Sequence, residues 1–304
     1  MQVSPEGVVN VLKPPGMTSS NAVVDVRRLF HCKRVGHTGT LDPGAAGVLP
    51  VCLGRATRLF DLLVDKEKEY IAELSFGMCT DTQDSYGRVV AVSHGMVSQA
   101  QLEGILPAFL GEQQQLPPMY SALKKEGKAL HQLAREGKEI PRELRNIRID
   151  RLEILDMPAP NRFLLRVRCS RGTYVRTLCQ DIGERLGQCA YMSFLLRSAA
   201  GPFRVEQAYS IHELEALQQQ GRLMEAVMPI DEALGFLPAM ELPDEQEALH
   251  ARLLNGVPIS QEQLGQINLP EGPLRVYAGG HFLGVGMLEG GKLRLKLHLV
   301  GLAK

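Results

Sequence analysis

Apolar residues recur along this chain with two spacings, and each spacing predicts an element. From residue 69 to 76, Tyr70, Ala72, Leu74 and Phe76 fall on one side of an extended segment, with Glu69 and Glu73 on the other. Phe163, Leu165, Val167 and Cys169 alternate in the same way against Arg166 and Arg168, predicting a second half-exposed strand. Short apolar runs at 7–12, 48–53, 89–92 and 192–196 predict further strands. Helical spacing governs other stretches. Ala22, Val23, Val26, Leu29 and Phe30 follow Thr18 and Ser19, either of which can cap the helix they predict. Leu102, Ile105, Leu106, Phe109 and Leu110 follow Ser98 and stop at Gly111. Val175, Leu178, Cys179, Ile182 and Leu186 mark another helix that ends at Gly187, and Ser210 with Glu213 has capping-box spacing.

The C-terminal part changes character. Residues 229–238 read as a linker, and residues 243–255 predict a last helix. Strand-like runs then follow at 274–277, 282–288 and 293–300, joined by Gly279-Gly280 and by residues 289–292. The pattern predicts a larger body over residues 1–232 and a small β-rich module over 237–304. Residues 124–151 hold few apolar side chains, so they predict an excursion from the body.

One loop stands apart. Residues 36–50 gather Gly36, Gly39, Gly44 and Gly47, two prolines, His37 and a single carboxylate, Asp42. Each interior glycine costs a helix about 0.5–1 kcal/mol relative to alanine, so this stretch is not helical. Its glycines predict positive-φ turns or close approach of backbone to a ligand. Pro43 turns Asp42 away from helical dihedrals, and an Asp-Pro pair taken alone reads as an Asx-type turn. Arg176 falls in the first turn of a predicted helix, where a cation opposes the macrodipole. It is either a surface arginine or one held there by an anion.

Composition narrows the field. A hydrophobic fraction of 44% and a charged fraction of 22% are ordinary for a globular protein. No apolar run approaches the roughly 18 residues that span a bilayer, and the first residues lack a secretory pattern, so the expected compartment is the cytoplasm and no membrane partner is expected. The six cysteines form no C-x-x-C pair, and no metal is expected. Net charge is formally zero but unevenly spread. From Glu206 to Glu247, Arg222 is the one basic residue among many acids. Arg27, Arg28, Lys33, Arg34, Arg55 and Arg58 flank the glycine-rich loop, and a second basic run extends from Lys124 to Arg151. Basic segments on both sides of such a loop fit a polyanion partner. A phosphate-binding G-x-x-x-x-G-K-[ST] loop, a dinucleotide G-x-G-x-x-G and a hydrolase G-x-S-x-G are all absent.

The stretch Gly36-His37-Thr38-Gly39-Thr40-Leu41-Asp42-Pro43, followed by Gly47-Val48-Leu49-Pro50, resembles the catalytic motif of the TruB family of bacterial tRNA pseudouridine-55 synthases. Lys13-Pro14 with Gly16-Met17-Thr18-Ser19, Lys68 with Tyr70, Thr80-Asp81-Thr82 with Asp84 and Gly87, residues 118–124, residues 172–177 and Leu195 to Arg197 resemble further motifs of that family, in its order. The resemblance implies an α+β fold: a pseudouridine synthase domain with a central, mostly antiparallel sheet, and a small PUA-like RNA-binding domain. It implies a stand-alone, monomeric enzyme that needs no cofactor and acts on the T-arm of tRNA. Asp42 would be the nucleophile on a flipped-out uridine, with Arg176 holding it in an ion pair and Tyr70 stacking on the base. His37, Asp84, Tyr174, Leu195, Lys13, Lys124 and Arg197 would contact the substrate RNA, with residues 124–151 as a thumb. Two other readings stay open: a tRNA-binding or folding protein of the same fold, and a guide-dependent relative like dyskerin. Loss of turnover without loss of binding on changing Asp42 separates the first; activity without added RNA or protein separates the second.

Overall fold

The chain starts with β1 (Gly7–Lys13), α1 (Ser19–Leu29), β2 (Val35–His37) and β3 (Ala46–Leu53). Then come α2 (Phe60–Val64), β4 (Lys68–Phe76) and a hairpin of β5 (Met78–Thr80) and β6 (Val89–Val92). Helix α3 (Gln99–Ile105) leads to β7 (Gly111–Gln115), the two-residue strands β8 (Lys124–Lys125) and β9 (Lys128–Ala129), and α4 (Leu130–Arg135). The body closes with β10 (Arg145–Ala159), β11 (Arg162–Cys169), α5 (Val175–Arg185), β12 (Ala190–Ala200), β13 (Phe203–Arg204), α6 (Ile211–Gln219), β14 (Val227–Met228) and α7 (Ile230–Ala233). The C-terminal module holds β15 (Ala239–Leu242), α8 (Glu247–Leu254), β16 (Ile259–Ser260), β17 (Gly272–Ala278), β18 (His281–Glu289) and β19 (Lys292–His298). This computed structural model describes residues 5–64, 66–121, 123–125, 127–138, 140–242, 247–264 and 269–299.

Among the described residues, ten strands form one sheet in the order β14-β1-β3-β12-β4-β11-β10-β7, with β2 on β3 and β13 on β12. Its pairs are antiparallel apart from β3 with β12. A five-stranded sheet, β15-β17-β18-β19-β16, forms the C-terminal module. The mixed α/β architecture with a mostly antiparallel sheet and a separate β-rich end is the one expected.

One face of the large sheet carries α1 and α5. Ala22, Val26, Val175, Leu178 and Ile182 pack there against Val9, Val51, Ala72 and Leu74. The spacing read from the sequence thus forms the helix faces it predicted. Each large side chain fully buried in this way contributes about 1.5–3 kcal/mol. Thr18 is the cap of α1, accepting from the Asn21 amide at 3.0 Å. That leaves Ser19 available for a contact described below.

Two expectations fail. Residues 229–238 are not a linker: they contain α7, and Ile230, Ala233, Leu234 and Leu237 join a second core with Val8, Val48, Phe203 and Val285. This core ties the body to the C-terminal module. The basic excursion does not reach residue 151, because β10 starts at Arg145 and pairs with β7 and β11. Arg145, Arg148 and Arg151 are sheet residues, and Arg148 is ion-paired with Glu67 at 3.0 Å. The expected end of the last helix holds in α8, while residues 243–246 of it lie outside the described residues.

Candidate active site

Four adjacent strands place one row of residues under the glycine-rich loop. Lys13 on β1 pairs with Gly47 on β3, Gly47 with Arg197 on β12, and Arg197 with Tyr70 on β4. Residues paired across strands share a face, so the three side chains rise together toward the loop. Gly47 lets the strands close: at its φ of +115° a Cβ would overlap the Arg197 backbone. Its missing side chain makes room for β12 and not, as the glycines suggested, for a ligand.

The row holds the loop by its carbonyls. Arg197 is 2% exposed and donates from Nε to the Val48 oxygen at 2.7 Å, and from its Nη atoms to Gly39 at 3.1 Å and Thr40 at 3.5 Å. Lys13 is fully buried and donates to the oxygens of Pro14 at 2.9 Å, Met17 at 2.7 Å and Pro43 at 3.3 Å. Burial pulls the Lys13 ammonium down to about 8, against the attraction of Asp42. Ser19 accepts from the Leu41 amide at 2.9 Å and donates to the Leu41 oxygen at 3.0 Å. The backbone is therefore fixed at Gly39, Thr40, Leu41 and Pro43. Asp42 stands between those anchors.

Its side chain is not spent on a local turn. Asp42 Oδ2 lies 2.8 Å from Nε of Arg176, with Asp42 41% exposed and Arg176 4% exposed. Arg176 sits just after Tyr174, the cap of α5, and donates to the oxygens of Thr82 at 3.1 Å and Tyr120 at 2.9 Å. A buried guanidinium with a partner on each of its three nitrogens thus holds a half-exposed, ion-paired carboxylate. This resolves the oddity of an arginine at a helix start: its anion is Asp42. Asp84 Oδ2 lies 3.9 Å from the same Nε, and the Asp84 carboxylate accepts from Thr82 Oγ1 at 2.6 Å and the Tyr86 amide at 3.0 Å.

The comparisons with known proteins agree with this architecture. The family model described as TruB family pseudouridylate synthase, N-terminal domain, matches residues 27–175, and that of the tRNA pseudouridylate synthase B C-terminal domain matches residues 176–235. A protein named tRNA pseudouridine synthase B from Caldanaerobacter subterraneus subsp. tengcongensis is 40% identical over 97% of this chain and 99% of its own length. The chain belongs to the TruB family. A protein of the same name from Azoarcus sp. is 44% identical over 96% of this chain and 94% of its own. A solved Cbf5-Nop10-Gar1 complex is similar to 96% of this chain, over 79% of the matched one, with a TM-score of 0.72 and 27% identity. An H/ACA RNP bound to a substrate RNA, at 24% identity and a TM-score of 0.74, shares the fold.

In this TruB-family chain the remaining expected site residues divide by depth. Tyr70 is buried in the row, where burial raises its phenol pKa and the neighbouring Arg197 opposes that shift. His37 ends β2, and its Nδ1 accepts from the Gly39 amide at 3.3 Å. Burial and Arg197 lower its pKa, so the imidazole is neutral at pH 7 with Nε2–H as its donor. Tyr174 is half-buried and its backbone is clasped by Gln115, which accepts from its amide at 2.8 Å and donates to its oxygen at 3.1 Å. Leu195 lies in the main core opposite Ala72. Lys124 lies in β8, with its side chain outside the described residues.

Arg197 and Lys13, expected to contact the RNA, are buried beneath the loop, and both donate to its backbone oxygens. Sequence reasoning missed Gln115 and the role of Ser19. Neither carries a local signal, since each works through a partner far along the chain. Among the described residues no group of three or more His, Cys, Asp or Glu side chains could hold a metal, and no helix is long and apolar enough to cross a membrane.

Proposed function

We propose that this chain isomerises uridine 55 in the T-loop of tRNA to pseudouridine, with Asp42 as the nucleophile on a flipped-out uridine. The observation that carries the reading is the Asp42–Arg176 pair: a half-open carboxylate on a clamped loop, held at 2.8 Å by a buried guanidinium. Pseudouridine formation breaks the bond between the sugar and uracil nitrogen 1, turns the base, and joins the sugar to carbon 5. The carbon 5 proton leaves and nitrogen 1 gains one, so the reaction is redox-neutral and needs no cofactor. Arg176 engages Oδ2, which leaves Oδ1 for the nucleotide. The clamped backbone keeps the carboxylate in place while the base turns, so little reorganisation accompanies the reaction.

Tyr70 lies under the loop, where its ring stacks on the turned base. Burial raises its phenol pKa and Arg197 opposes that shift; the phenol gives its proton to nitrogen 1 of the detached uracil, and the phenolate left beside Arg197 takes the carbon 5 proton. His37 offers Nε2–H to the RNA, and Asp84 adds a second, more distant carboxylate near the Arg176 Nε. Swinging the uridine out of its stack costs a few kcal/mol, which contacts to the rest of the T-arm offset. Residues 124–144 act as the thumb on that arm, and residues 237–304 act as an RNA-binding module of PUA type. The enzyme works as a monomer without a guide RNA.

The test is to incubate the pure protein with unmodified total tRNA, adding no other RNA or protein, and map pseudouridine at single-nucleotide resolution. Conversion confined to position 55 is expected. Conversion in another stem or loop would overturn the assigned substrate, and conversion only after a guide RNA is added would favour the guide-dependent reading.

A further inference from the structure

The turn between β5 and β6 carries an aromatic side chain that the chemistry above does not use. Tyr86 is 73% exposed, the most open of the large hydrophobic side chains among the described residues. Yet it is not a loose surface group. Its ring lies on Gly44, two residues beyond Asp42, so closely that a Cβ on Gly44 would overlap the ring. Its own turn is tied down: the Tyr86 amide donates to Asp84 Oδ1 at 3.0 Å, Ser85 Oγ donates to the Ser193 oxygen at 3.4 Å, and the Thr82 oxygen accepts from Arg176. The same guanidinium thus orients both the carboxylate and the turn that presents the ring.

We propose that Tyr86 stacks on a nucleobase of the substrate RNA next to the flipped nucleotide. The inference rests on the reading that a uridine is turned out against Asp42. Turning one base out deprives its neighbours of a stacking partner, and an exposed π-face beside Asp42 supplies one. Tyr70 cannot serve both bases, because it is buried under the loop while Tyr86 lies open on it. The chain has no tryptophan, so tyrosine is the largest ring available for this task. Gly44 is the matching feature. Its φ lies outside the left-handed region, so alanine fits its backbone, and its absent Cβ is what seats the ring.

The absence of tryptophan also provides the test. The Tyr86→Trp variant carries a single indole, whose fluorescence is read while a T-arm hairpin RNA is added. Quenching is expected, and it should be relieved when one loop nucleotide beside the target is made abasic. Tyr86→Ala should raise KM about tenfold with a much smaller change in kcat, as loss of one stacked base implies, and Tyr86→Phe should restore KM. Gly44→Ala should raise KM in the wild-type background and add nothing in the Tyr86→Ala background, since it acts through the displaced ring. An unquenched indole on a hairpin that the enzyme converts, or an unchanged KM in Tyr86→Ala, overturns the inference alone. A wild-type chain that leaves the hairpin unconverted overturns the substrate reading and this inference with it.

Discussion

Arg176, at the start of α5, and Arg197, in the middle of β12, are both almost closed to solvent, yet their guanidinium groups end on different kinds of partner. Arg197 donates to three main-chain oxygens of the loop and of β3. Arg176 donates to two main-chain oxygens as well, but its Nε is kept for the Asp42 carboxylate. The first arrangement determines a shape. The second fixes the direction of a half-open carboxylate within that shape. Burial alone does not tell an arginine that shapes the backbone from one that orients a carboxylate; the identity of the acceptor does.

The comparison is broken most easily at Arg197. Arg197→Met strands the buried Val48 oxygen, loosens the part-buried contacts to Gly39 and Thr40, and leaves a gap under the loop, which together should lower the unfolding free energy by about 3–5 kcal/mol. Urea midpoints should fall in step with activity. A midpoint close to wild type would mean that the loop keeps its shape without this side chain.

Arg176→Lys should separate the two properties. An ammonium cannot reach Asp42 and two carbonyls in one plane, so kcat should drop about 10²–10³-fold, while stability falls by no more than about 1–3 kcal/mol. Equal losses in both variants would erase the distinction between the two arginines.

Asp181, on the same helix as Arg176, gives the smallest effect and a control. Burial, with help from Glu184, pushes its carboxyl up to about 6 from 3.8. The folded state then holds a proton that the unfolded chain gives up, so this group weakens the fold as pH rises from about 4 to about 6. Asp181→Asn removes that cost and should stabilise the protein by about 1–2 kcal/mol at pH 7, with the gain vanishing below about pH 4 and kcat unaffected. A gain of equal size at both pH values would show that the carboxylate's charge is not its source.

Much of this fold was legible because its strands are half-buried. Tyr70, Ala72 and Leu74 alternate with polar residues, as do Phe163, Leu165 and Val167, and the helices α1 and α5 show apolar stripes of the right period. Strand β7 was not legible, since Glu112, Gln113 and Gln114 give an edge strand no apolar side. Helix α7 was hidden by its brevity and by Pro229, which suits a helix start as well as a linker. The pairing of Asp42 with Arg176 was legible, and its support was not. Asp42, Arg176 and Tyr70 were named from the chain. The row of Lys13, Gly47, Arg197 and Tyr70 exists only through the pairing of four strands, two of them distant in sequence, and no local pattern encodes such a register.

The central claim is that Asp42 is the nucleophile and that Arg176 and the clamped loop hold it in position. It is tested most directly in Asp42→Asn, which keeps the size of the side chain and an oxygen for Arg176 but removes the nucleophile. Pseudouridine at position 55 is measured after long incubation with unmodified tRNA, alongside the tRNA dissociation constant. The account predicts no pseudouridine and an affinity close to wild type; turnover near the wild-type rate would contradict it.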